Sequence, residues 1–266
     1  MAIEVKNISF GYDKNLIIEN ISLNLEKGKF ISLIGPNGSG KSTLLKTILH
    51  INRPHSGKTI IEGKNLKDYK NKERAKKVAF LPQSPEIHEE ISVKELVKMG
   101  RYHNKKAFQP LKKEDYNAIN NAIKWIGLEE FKEKSVLSLS GGQRQRAFLA
   151  MVLAQETDYI FLDEPTSYLD INHQIEFVEL LKKLQTEFNK TIVIVLHDLP
   201  IVAKYSDYVV TLKNGKLYDK GIPCKVFTQK MLNEVFSVQA EINAIANSYQ
   251  VLCYNFCIKN KNILSI

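Results

Sequence analysis

Cysteine is scarce in this chain. Cys224, Cys253 and Cys257 are the three present in 266 residues. An odd, small number makes no disulfide framework and points to a reducing compartment. Cys253 and Cys257 stand in C-x3-C spacing without a neighbouring Cys or His to complete a metal site, so they read as free thiols in a C-terminal strand. Long apolar runs are missing as well. Runs such as 30–34 and 191–196 are strand-length, against the ~20 residues a membrane-spanning helix needs. The N-terminus, MAIEVKNISFGY, carries charges where a signal peptide needs an apolar stretch. The expectation is a soluble chain made inside the cell, so that any membrane process must use another chain to span the bilayer. Arginine is rare too, five among 38 basic residues. Gly and Pro, at 13 and 8, are too few for a collagenous or low-complexity chain.

What is present reads as globular: 44% hydrophobic and 25% charged residues, with a length that allows one or two domains. The net charge of +9 suits an anionic partner. Scattered surface lysine produces the same sum, so charge alone does not discriminate.

Residues 2–34 alternate between apolar and polar and carry turn signals at Gly11-Tyr12-Asp13 and Lys27-Gly28, the pattern of short antiparallel strands. Within them, Phe30–Ile34 is a continuous apolar run leading into a Gly-rich loop, followed by a helix over 42–50. Residues 78–81 read as another strand. From 92 to about 127 the period becomes helical: Val93, Leu96, Val97 and Gly100 share one face, and Ala118, Ala122, Trp125 and Ile126 another. Trp125 reads as a packing residue. Alternation of strands and helices then resumes, with helices over 144–155 and 171–188, strands over 159–162 and 191–196, and a hairpin of 209–212 with 216–218 across Asn214-Gly215. Such alternation implies a largely parallel sheet with helices on its faces, and ligands at the carboxyl ends of its strands.

Gly35-Pro36-Asn37-Gly38-Ser39-Gly40-Lys41-Ser42 fits G-x-x-x-x-G-K-[ST]. It follows a strand and opens a helix, the context that gives the pattern meaning. Its backbone N–H groups can curl around phosphate oxygens, assisted by the partial positive charge of the helix N-terminus. Lys41 supplies a cation to β- and γ-phosphates, and the Ser42 hydroxyl suits Mg2+. Thr43 continues the same turn. Downstream, the apolar 159–162 strand ends in Asp163-Glu164. An acidic pair there can merely cap a helix. Beside the phosphate loop it assigns Asp163 to Mg2+ and Glu164 to the water that attacks the phosphate.

Leu139-Ser140-Gly141-Gly142-Gln143 lies just upstream of that strand. Here the chain resembles the ATP-binding cassette (ABC) family, whose signature is LSGGQ, and the resemblance spans roughly residues 2–240. It implies an α/β fold: a P-loop NTPase (RecA-like) core, an antiparallel β-subdomain and an α-helical insertion over about 84–145. Residues 1–240 form the nucleotide-binding domain, and 241–266 are a C-terminal extension of it. The resemblance further implies that two copies meet head to tail, so that Ser140, Gly141, Gly142 and Gln143 of one chain close the nucleotide site of the other. Gln83 matches the glutamine that senses Mg2+ and links the site to the insertion. His197 matches the histidine that contacts the γ-phosphate, although alone after a strand it would pass for structural. Ser167-Tyr168-Leu169-Asp170 matches the D-loop, with Tyr168 in place of a small residue. Tyr12 falls where the family stacks an aromatic on adenine, and it could equally be a turn residue packed on Phe10. ATP and Mg2+ are the cofactors implied.

The wording around these motifs narrows the branch. Residues 143–157, then Leu169-Asp170-Ile171-Asn172-His173-Gln174, together with Leu96, Gly100-Arg101-Tyr102 and His197-Asp198-Leu199, resemble the ATPases of importers for ferric siderophores, haem and cobalamin, and most of all those for ferric siderophores. The implied partners are a second copy, an integral membrane permease and, indirectly, an extracytoplasmic binding protein. The implied place is the cytoplasmic face of the membrane. A cassette ATPase of Fe–S cluster assembly or of nucleic-acid metabolism is the alternative; no nucleic-acid partner is expected. A small-molecule kinase would need an arginine-rich lid, which five arginines do not supply.

Overall fold

The computed structural model describes residues 3–13, 15–83, 85, 87, 89–103, 110–245 and 248–256. The alternating N-terminal stretch forms β1 (Ile3–Tyr12) and β2 (Asn15–Leu25), paired antiparallel. Their inward residues, among them Ile3, Ile8, Ile18 and Ile21, are fully buried. β3 (Phe30–Ile34) leads into α1 (Lys41–Ile48). β4 (Ser56–Ile61) and β5 (Lys64–Asn65) return to the first sheet, which runs β2-β1-β4-β5. A short helix, α2 (Asn71–Ala75), then precedes β6 (Val78–Leu81).

Three helices follow: α3 (Val93–Met99), α4 (Lys113–Ile126) and α5 (Gly141–Ala154). Beyond them come β7 (Tyr159–Leu162), α6 (Ile171–Phe188), β8 (Thr191–Val195) and α7 (Leu199–Tyr205). β9 (Tyr208–Lys213) and β10 (Lys216–Gly221) form the expected hairpin, with Asn214 and Gly215 both at positive φ. The chain continues through α8 (Pro223–Val226) and α9 (Gln229–Phe236) into a hairpin of β11 (Val238–Ile245) and β12 (Ser248–Phe256). β12 runs beside α7, and β11 beside α9. Cys224 is a half-buried free thiol; Cys257 and the side chain of Cys253 lie outside the described residues.

The second sheet has the order β10-β9-β3-β8-β7-β6, parallel throughout except at the β9–β10 edge. This corrects one expectation. Residues 30–34 do not join the antiparallel strands beside them in sequence but lie between β8 and β9. All five of their side chains are buried, and a strand apolar on both faces needs cover on both faces. β7 and β8 show the same division. Ile160, Leu162, Ile192 and Ile194 pack toward α3 to α7, while Tyr159, Phe161, Val193 and Val195 pack toward α1 and the antiparallel sheet. Burial of each such side chain contributes about 1.5–3 kcal/mol. The parallel register sets the carboxyl ends of β3, β6, β7 and β8 along one edge.

The helical reading of 92–127 resolves into two helices with a break between them. α3 stops at Gly100, and the next residue turns inward. Arg101 is 5% exposed. It donates to Asp115 at 2.9 Å, to the Ala154 carbonyl at 2.7 Å and to Glu156 at 2.6 Å, so one guanidinium ties α3, α4 and the end of α5. Replacing Arg101 by Ala removes the cation facing the buried Asp115 and should cost about 3–5 kcal/mol. Urea denaturation measures this directly; a midpoint at the parent value would show the pair to be worth no more than a surface bridge. Trp125, the single tryptophan, packs edge-on to Phe188 of α6, ring centroids 5.5 Å apart and 73° between planes. It is a packing residue between α4 and α6.

Candidate active site

β3 ends at Ile34 and the chain curls through residues 35–40 into α1. Gly40, the residue that caps α1, has φ +96, and an added methyl would come within 2.9 Å of the Ile18 side chain. That conformation and that space admit glycine. Lys41 is buried and folds back, its Nζ donating to the carbonyls of Gly35 at 2.9 Å and Pro36 at 3.0 Å. Burial lowers its pKa, while the charges of Glu164 and Asp163 act the other way. The loop is thus closed on its own cation, and its backbone N–H groups are the candidate phosphate cradle.

Asp163 follows β7 directly and is 1% exposed. Neither of its carboxylate oxygens has a hydrogen-bond partner; its nearest cation, Lys46 Nζ, stands 3.8 Å away. Burial pushes the carboxyl above its usual range, with the neighbouring Ser42 hydroxyl and the Lys46 charge pulling it back. A buried carboxylate with so little direct hydrogen bonding is costly unless something else satisfies it. A hydroxyl and a carboxylate are hard oxygen donors, the donor class Mg2+ takes. The residues present fit that ion.

Glu164, one residue on, has φ +47. For a residue with a Cβ this left-handed conformation costs about 1–2 kcal/mol. Strain of this kind persists where the surroundings impose it, and here they do. Glu164 Oε1 lies 2.7 Å from His197 Nε2. Its Oε2 accepts from Gln83 Nε2 at 2.7 Å and from Ser167 Oγ at 3.2 Å. Gln83 comes from the turn after β6, and His197 from the turn after β8. Two residues read separately in the sequence, Gln83 and His197, therefore converge on the Glu164 carboxylate. Ser167 joins them without having been singled out for any contact; its spacing of three from Glu164 was the available signal.

Other expected site residues stand apart from this cluster. Tyr12 is 58% exposed and meets Phe10 edge-on at 5.1 Å. Ser140 caps α5, accepting from the Gln143 N–H, while the Gln143 side chain accepts from the Ser140 N–H. This reciprocal cap starts the helix at Gly141, three residues before the start expected at 144. The N–H groups of Gly141 and Gly142 head the helix free of intrahelical partners. Among the described residues, no hydrogen bond or ion pair joins the 140–143 turn to the 35–43 loop.

The ABC transporter family model matches residues 18–167, more than half of the chain. The iron(3+)-hydroxamate import ATP-binding protein FhuC of Bacillus subtilis is 40% identical over 264 residues, 99% of this chain and 98% of that protein. Among solved structures, a chain of a transporter assigned to the metal-chelate ABC type, in an inward-facing conformation, superposes with a TM-score of 0.83 at 29% identity, covering 96% of this chain and 97% of that one. A dimeric bacterial ABC transporter cassette superposes with a TM-score of 0.73 at 29% identity, covering 83% and 98%. The chain belongs to the ABC transporter family, as its ATP-binding, ATP-hydrolysing cassette.

Proposed function

We propose that this chain energises the uptake of a ferric siderophore, working as a head-to-tail pair on the cytoplasmic face of a membrane permease. The observation that carries the catalytic part is the carboxylate of Glu164, gripped by Gln83, His197 and Ser167 beside the cradle. Glu164 takes the proton of the attacking water. His197 then faces the γ-phosphate and offers a hydrogen bond as charge builds there. Lys41 exchanges its loop carbonyls for β- and γ-phosphate oxygens, and the N–H groups of residues 35–43 hold the remaining charge. Tyr12 covers the adenine ring. Mg2+, held by Ser42 and Asp163 with Gln83 adjoining, would supply positive charge to the β- and γ-phosphates.

Pairing follows from the separation of the two anion sites. One chain carries both a cradle and the 140–143 turn but does not bring them together. In a head-to-tail pair, Ser140, Gly141, Gly142 and Gln143 of each chain close on the nucleotide of the other. Closure is favoured because each γ-phosphate gains donors from both chains, and cleavage removes that gain. The insertion over 84–145 hands the movement to the permease, since among the described residues no helix is long and apolar enough to cross a membrane. An extracytoplasmic protein delivers the cargo on the far side. The siderophore assignment rests on the likeness to the iron(3+)-hydroxamate import protein and to the metal-chelate transporter.

The test is uptake of radiolabelled ferric hydroxamate by cells deleted for the gene. Uptake should be lost, and restored by the parent gene but not by its Lys41→Ala form. Uptake at the parent rate in the deletion strain would overturn the cargo assignment.

A further inference from the structure

One contact joins two loops that a paired cassette presents together to its partner. Asp170 caps α6. Its Oδ1 accepts the backbone N–H of His173 at 2.9 Å, and its Oδ2 lies 2.6 Å from His173 Nδ1. The carboxylate thus fixes the residue through backbone and ring, and these bonds hold the Asp170 carboxyl below the usual range. An ionised carboxylate only accepts, so Nδ1 carries the proton. Held in this way, the imidazole lies on Gly142. A methyl added to Gly142 would stand 3.0 Å from Cδ2 and 3.4 Å from Cγ of the ring, inside the optimal separation of carbon atoms. At Gly141 the same methyl meets open space. A second tie lies one turn further on, where Arg146 of α5 pairs with Glu176 of α6. Spacings of four on α5 and three on α6 put the two ties on one face of each helix.

We propose that His173 is a positioning residue for the signature turn: seated by Asp170, its ring fixes Gly142 and joins that turn to the 167–170 loop of the same chain. This rests on the paired-site reading given above. Ser167 binds Glu164 and stands three residues before Asp170, so one short segment touches both the base of one nucleotide site and, through His173, the turn that closes the other. His173 touches no reacting atom. Its part is to make the two loops advance as one body, a preorganisation that places the Gly142 N–H for the partner's γ-phosphate.

His173→Ala and His173→Asn test this, each made in the parent and in a Glu164→Gln background. Asparagine can keep a bond to Asp170 but lacks the ring, so both variants should behave alike. Melting temperature and the affinity of the single chain for ATP should hold, because the ring is 48% exposed and distant in sequence from the cradle. ATP-dependent pairing, read by light scattering, and kcat should both fall about 10- to 100-fold. Gly142→Ala should also weaken pairing, and adding His173→Ala should relieve part of that loss, since the clash disappears with the ring. Parent-like pairing and turnover in His173→Ala would overturn the proposal, as would losses at 142 and 173 that merely add. If the Glu164→Gln chain itself fails to pair with ATP, the paired-site reading falls, and the proposal with it.

Discussion

Glu164→Gln should slow ATP cleavage by about 10²- to 10⁴-fold, the usual worth of a positioned general base, while ATP binding is retained. Glutamine has the same shape, and its carbonyl oxygen can still accept from Gln83 and Ser167, so the turn after β7 keeps its form. What it cannot do is take a proton from water. The ATP-bound pair then has no way to discharge the γ-phosphate that holds it together, and a dimer should accumulate. Phosphate release measures the first effect, equilibrium nucleotide binding the second and size-exclusion chromatography the third. Turnover at the parent rate would remove Glu164 from the role and leave its strained backbone at φ +47 without a purpose.

Ser140→Arg should abolish that accumulation. In a chain carrying both Ser140→Arg and Glu164→Gln, ATP should still bind, because the cradle, Lys41 and Asp163 are untouched. The pair should not form. The Ser140 hydroxyl accepts from the Gln143 N–H, and losing this cap costs about 1 kcal/mol of helix stability, too little to unfold the chain. The larger effect is steric. Ser140 is exposed, and a guanidinium on a long stem fills the space that the partner's γ-phosphate enters in the proposed pair. Light scattering with and without ATP decides the matter; a dimer of undiminished stability would mean that the 140–143 turn closes nothing.

Much of this site was readable from the chain because each part is local. The 35–42 loop, the acidic pair after 159–162 and the capped 140–143 turn each occupy a few consecutive residues, with spacing set by one turn or one strand end. The parallel core was readable because its strands are apolar on both faces. Strand neighbours were not. β3 pairs with β8 and β9, more than 150 residues away in sequence, and periodicity says nothing about partners at that distance. Arg101 escaped for a related reason: a charged residue after a helical run reads as solvated until the fold sets Asp115, Glu156 and a carbonyl around it. The grip on Glu164 likewise depends on three strand ends being level with one another. His173 could have been noticed three residues after the capping Asp170, but its contact with Gly142 belongs to the packing of α5 against α6.

The edge-on meeting of Trp125 and Phe188 has a practical consequence. This indole is the single one in the chain, and it sits where α4 leans on α6. Any tilt of α4 that accompanies nucleotide exchange must alter its surroundings. The unlabelled protein therefore carries its own optical gauge, and intrinsic emission can time that tilt against phosphate release in one stopped-flow trace.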